Sequence, residues 1–192
     1  LAIDGLAPFL DVLRNLQGLA LSRNMIFHDT SFDSFLRFTG RLAGVGAEPV
    51  RIAVYAVKAL LLAAALAVAA RCVRRGTFHP PSPGSAVLNA APPLLVFMTL
   101  ASPVVWEHHG VFLSLSFLAL LKTLDRPPDW LWFALAYLLE FLLPTFDFFP
   151  WSFGRLLAPL IVLWLMWRTA ARPGPSPFFE RVNRRLASLP AG

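Results

Sequence analysis

Ile52-Ala-Val-Tyr-Ala-Val-Lys58-Ala-Leu-Leu-Leu-Ala-Ala-Ala-Leu-Ala-Val-Ala-Ala70 is apolar throughout except for Lys58, and Arg71, Arg74 and Arg75 follow it directly. A membrane-spanning helix needs roughly 20 apolar residues, and Lys and Arg at one end hold that end on the inner side. This stretch meets both conditions. The whole chain has the same character: 57% of its residues are hydrophobic and only 15% are charged, with a mean hydropathy of +0.62. A soluble domain of 192 residues needs far more charge to cover its surface. The expected fold class is therefore all-α, a multi-pass transmembrane helical bundle.

Working outward, five spans can be drawn: Ile52–Ala70, Ala86–Val105 with an interruption at Pro92-Pro93, Gly110–Leu121, Trp130–Phe146 and Leu156–Trp167. The third and fifth are short and must lean on neighbours. Basic residues follow spans one, three and five: Arg71, Arg74 and Arg75; Lys122 and Arg126; then Arg168, Arg172, Arg181, Arg184 and Arg185. The turn between spans two and three has no Lys or Arg. The positive-inside rule puts the basic loops in the cytoplasm and the other turns outside. The net charge of +6 then serves orientation and contact with anionic membrane lipids, and nucleic acid is not an expected partner. A single cysteine, Cys72, excludes an internal disulfide and a CxxC metal site.

Three regions follow: an outer-face segment over residues 1–49, a transmembrane helical domain over 50–172, and a cytoplasmic linker and tail over 173–192. In the first, Phe9, Leu10, Val12, Leu13 and Leu16 predict a surface helix, and a second helix is expected from Ser31 to Leu42. In the tail, Phe178, Val182, Leu186 and Leu189 form an apolar stripe, with Arg181, Arg184 and Arg185 placed for anionic head groups. No internal repeat is present. Leu1 is neither an initiator Met nor the start of a leader pattern, so this chain is expected to be the C-terminal part of a longer protein.

Ionisable residues between apolar runs are the candidate chemistry. Trp106-Glu107-His108-His109 follows Pro103, which disfavours helix at Ser102, so the cluster should open the next helix. A helix start offers free amides to a phosphate, and protonated histidine adds charge-assisted hydrogen bonds. Glu107 could hold an imidazole tautomer or accept a substrate hydroxyl. The plainer alternative makes Trp106 a belt anchor and Glu107 a helix-dipole partner. Metal binding is disfavoured, because adjacent histidines diverge by about 100° on a helix. In the segment His28–Arg37, Thr30 and Asp33 have capping-box spacing, and Asp33 and Arg37 are i,i+4 partners. Arg37 or Arg41 could instead reach an anionic lipid head. Lys58 and Glu140 are the charges deepest in the spans and lie at similar expected depth, so they are expected to pair or to line one polar cavity. Phe146–Trp151 reads as an outer aromatic belt or the wall of a lipid groove.

The segment Ser102-Pro103-Val104-Val105-Trp106-Glu107-His108-His109 resembles the SPxxWxHH segment of glycosyltransferase family 87. Asp29-Thr30-Ser31 resembles that family's Asn-Gln-Ser segment, departing at the first two positions. The resemblance implies a GT-C membrane enzyme. It would move a hexose or pentose from a polyprenyl-phosphate donor to a lipid or glycan acceptor on the outer face of a bacterial inner membrane. Carried over, His108 and His109 would contact the donor phosphate, with Glu107 beside them, and Trp106, Asp29, Ser31, Arg37 and Arg41 would line the substrate site. No cofactor is expected, and divalent-metal dependence stays open. The family's general base, a carboxylate in the first outer loop, has no counterpart here. Two alternatives remain: a proton-coupled transporter or lipid flippase subunit, with Lys58, Glu140 and a helix broken at Pro92-Pro93, or an inactive membrane scaffold.

Overall fold

The computed structural model describes residues 31–102, 107–143 and 151–172. They form helices throughout, with no strand among the described residues. The order is α1 (Phe32–Leu42), α2 (Ala47–Arg75), α3 (Ser85–Ala101), a 3-10 helix (Glu107–Phe112) leading into α4 (Leu113–Leu121), α5 (Pro127–Tyr137) ending in a π-turn (Leu138–Leu142), and a 3-10 helix (Trp151–Leu156) leading into α6 (Leu157–Thr169). The apolar runs at 52–70, 110–121 and 156–167 lie on these helices. The runs over 86–105 and 130–146 extend past the described residues. The expected region boundary at 49/50 falls inside α2, because Ala47 and Glu48 already belong to its first turn.

At 29 residues, α2 is about 44 Å long at a 1.5 Å rise, well beyond a hydrocarbon layer of about 30 Å. Among the described residues it is the one helix long and apolar enough to cross a membrane unaided. Gly76 ends it in the left-handed region at φ 58°, which glycine adopts without a Cβ penalty. The chain then turns through a loop held by one side chain. Asn89 accepts from the Phe78 and His79 amides at 2.8 and 3.2 Å. Its Nδ2 donates to the His79 and Ser85 carbonyls at 2.9 and 2.8 Å. A buried amide with every hydrogen-bonding site used is a rigid staple, and it turns α3 back along α2.

Small residues on one face of α2, Ala65, Ala69 and Cys72 with Val68, are buried against this return and allow close approach. Helix α6 is the centre of the molecule. It contacts α2, α3, α4 and α5, and Ala158, Pro159, Val162, Leu163, Leu165 and Met166 are buried on it. The core then closes with Val96 and Leu100 of α3, Leu113, Phe117 and Leu120 of α4, and Ala136 of α5.

Pro92 and Pro93 do not interrupt α3, contrary to the sequence expectation: the helix runs unbroken from Ser85 to Ala101. Both prolines are buried against neighbouring helices, and Ser116 Oγ donates to the Pro92 carbonyl at 2.9 Å. Such packing against neighbouring helices lets an interior proline be absorbed.

The outer surface of the bundle is apolar. Only 22% of the apolar window of α2 is buried, whereas a soluble core helix would be mostly covered. Ile52, Leu60, Val87, Met98, Leu115, Leu118, Leu131 and Leu138 are all exposed on successive helices.

Candidate functional site

The alternating chain direction gathers the charges at two ends. One end collects the ends of α2 and α6 and the start of α5. Here Asp129 is fully buried, with Arg168 Nε 3.2 Å from its Oδ1 and Arg172 Nη1 on its Oδ2. Arg71 lies over the Trp167 ring at 4.4 Å and Arg168 over Trp164 at 5.2 Å. The opposite end carries α1, the 3-10 helix Glu107–Phe112, the π-turn and the start of the Trp151–Leu156 turn.

At that second end Ser31 is the N-cap of α1, its Oγ accepting from the Ser34 amide at 3.1 Å. The capping pair expected at Thr30 and Asp33 is therefore one residue out of register. The correction matters because it frees Asp33. Its carboxylate is buried and pairs with Lys58 Nζ of α2 at 2.6 Å. Asp33 thus does not pair with Arg37, and Lys58 does not pair with Glu140. The physical reason is the hairpin: α1 runs back along the first turns of α2. Gly40 sits so close to Val50 that a Cβ there would collide with its Cγ2. This register carries Asp33 down to the level of Lys58. Arg37 is half-buried, and its buried Nε has no partner among the described residues. Arg41 is exposed. Asp29 and Trp106 lie outside the described residues.

Glu107, His108 and His109 form the first turn of the helical segment that continues into α4. Gly110, buried, follows at once. The Glu140 carboxylate packs against it: a Cβ on Gly110 would collide with Oε1. Glu140 is buried on the π-turn, and single π-turns are frequent at functional sites. The Arg155 guanidinium acts on it electrostatically and donates from Nη2 to the Leu143 carbonyl at 2.9 Å. The buried Nε of Arg155 has no partner among the described residues. Three irregular turns thus bring the Glu140 carboxylate against Gly110, directly after the histidine pair in the chain, with the Arg155 guanidinium acting on it. Arg155 and Gly110 were missed in the sequence. Their signals were the lone arginine between spans four and five and the glycine directly after the histidine pair.

An apolar groove of ≈ 170 Å³ is lined by Leu95, Met98, Thr99, Ser102 and Phe112. Ser102 and Phe112 bracket the histidine-bearing segment in sequence. Among the described residues no three His, Cys, Asp or Glu side chains come together as a metal site. Comparison of the chain with known protein families, curated proteins and solved structures finds no match.

Proposed function

We propose that this protein is a multi-pass membrane glycosyltransferase. It would use a polyprenyl-phosphate sugar as donor and act at the end of the bundle that carries His108 and His109. The observation that carries the reading is the join of two unlike surfaces. Glu140 packs against Gly110, the buried Arg155 Nε has no partner among the described residues, and Phe112, two residues further along the chain, lines an apolar groove with Leu95, Met98 and Thr99 of α3. A lipid phosphate has the same two-part chemistry, and the resemblance of residues 102–109 to glycosyltransferase family 87 names the class. The membrane setting is supported by the length of α2 and by the exposed apolar side chains on every long helix.

In this reading His108 and His109 neutralise the donor phosphate as the sugar–phosphate bond breaks, and the starting amides of the helical segment add to that field. Glu140 and Arg155 hold the turn from below. Asp33 and Lys58 fix α1 beside the site. The transporter alternative drew on a relay of the His-Glu cluster with Lys58 and Glu140, and a helix broken at Pro92-Pro93 would have suited it. Lys58 pairs with Asp33 instead, and α3 is continuous.

The test is transfer from a radiolabelled polyprenyl-phosphate sugar by membranes carrying the full-length protein. Loss of donor-phosphate stabilisation in His108→Ala/His109→Ala should lower transfer by about a hundredfold or more. Transfer equal to wild type in that variant refutes the assignment of the histidines.

A further inference from the structure

The opposite end of the bundle has a second junction of charge and apolar surface, which the proposed reaction does not use. Between α5 and α6 runs an open groove of ≈ 220 Å³ lined by Trp132, Leu160, Ile161 and Trp164, with no polar lining. The two indoles meet edge to face at 5.6 Å and stay about 40% exposed. One turn further along α6, Arg168 covers the Trp164 ring at 5.2 Å. Its Nε is committed to Asp129, but its two terminal nitrogens have no hydrogen-bond partner among the described residues. Asp129 is shared with Arg172, so one buried carboxylate faces two guanidinium groups and one positive charge is left over.

The geometry points to a binding site for an anionic glycerophospholipid. One acyl chain lies in the Trp132–Trp164 groove and the head-group phosphate meets the Arg168 terminal nitrogens, with Arg172 behind them. Charge and shape each select the occupant. A zwitterionic lipid would bring its own cation to a site that already has a surplus cation. A soluble anion would leave the apolar groove empty. Asp129 has a definite part in this: it holds Arg168 through Nε while the guanidinium rests over the Trp164 ring that walls the groove. Trp164 provides both the groove wall and the ring on which the guanidinium rests. Basic pockets between helices on the inner side of membranes recognise anionic head groups by this combination.

The inference rests on the membrane setting proposed above but not on the transferase activity, and one experiment separates the two. The full chain is extracted and examined by native mass spectrometry in micelles doped with palmitoyl-oleoyl phosphatidylglycerol or phosphatidylcholine. Wild type should retain phosphatidylglycerol in preference. Arg168→Gln should lower that retention about fivefold, the effect of one arginine at a lipid head group, and leave phosphatidylcholine unchanged. Trp164→Ala should lower retention of both lipids. Arg75→Gln, an exposed arginine at the same end, should change neither. Equal retention of the two lipids by wild type overturns the site, as does an Arg75→Gln effect equal to that of Arg168→Gln. Recovery of the chain in aqueous buffer without detergent overturns the membrane reading itself.

Discussion

Gly110→Ala offers the sharpest reading of the candidate site. Gly110 does not have a positive φ, so its backbone would accept alanine without strain. The obstacle is tertiary. A Cβ there would collide with Glu140 Oε1 and lie 3.3 Å from its Cδ and 3.6 Å from its Cγ. The oxygen ends a flexible side chain, so it can swing aside, but Glu140 is buried and must leave its rotamer to do so. An off-rotamer side chain and local overpacking together cost about 1 kcal/mol. For a protein of this size that lowers the unfolding midpoint by about 2–4 °C. The decisive variant is Gly110→Ala in a Glu140→Ala background. With the carboxylate gone the Cβ enters free space, and replacing a glycine of ordinary φ should then be neutral or stabilising by about 0.4–1 kcal/mol. The sign of the effect reverses between backgrounds. Thermal unfolding of the four proteins in the same micelle, followed by far-UV circular dichroism, measures it. Equal destabilisation by Gly110→Ala in both backgrounds would refute the Glu140–Gly110 contact.

Two further outcomes follow from the ion pairs. Lys58→Met and Asp33→Asn should each destabilise the protein, while the double variant recovers about 1–3 kcal/mol of the summed loss; the exchange Lys58→Glu with Glu140→Lys should give no such recovery, and additive losses for the first pair would rule out the Asp33–Lys58 contact. Asp129→Ala leaves Arg168 and Arg172 without their shared anion and should cost about 3 kcal/mol in the same unfolding assay, whereas a loss below about 0.5 kcal/mol, typical of an exposed pair, would remove Asp129 from its structural role.

Helix positions were legible because they depend on local properties. Runs such as 52–70 and 110–121 are apolar over many consecutive residues, and only a helix satisfies its own backbone over such a length. Ser31–Leu42 was readable because its amphipathic spacing and a polar cap occur within a few residues, although the capping residue proved to be Ser31 and not Thr30. Pro92-Pro93 was misread as a break because a proline's local cost was weighed without the burial of both rings against neighbouring helices. His108 and His109 could be singled out in the sequence because charge between apolar runs is costly. Arg155, Gly110 and Asp129 were not, since nothing near them in the chain marks their partners.

By itself, then, the sequence determined an all-helical chain and the order of its apolar helices, since hydrophobicity and backbone hydrogen bonding act over short stretches of chain. Only the tertiary structure decided which charge meets which: Lys58 with Asp33, Glu140 against Gly110 beside Arg155, and Asp129 between Arg168 and Arg172. Depth along a helix can be counted from the sequence, but facing cannot. Each residue turns the side chain by about 100°, and the rotation of one helix against another is set by how the whole bundle packs.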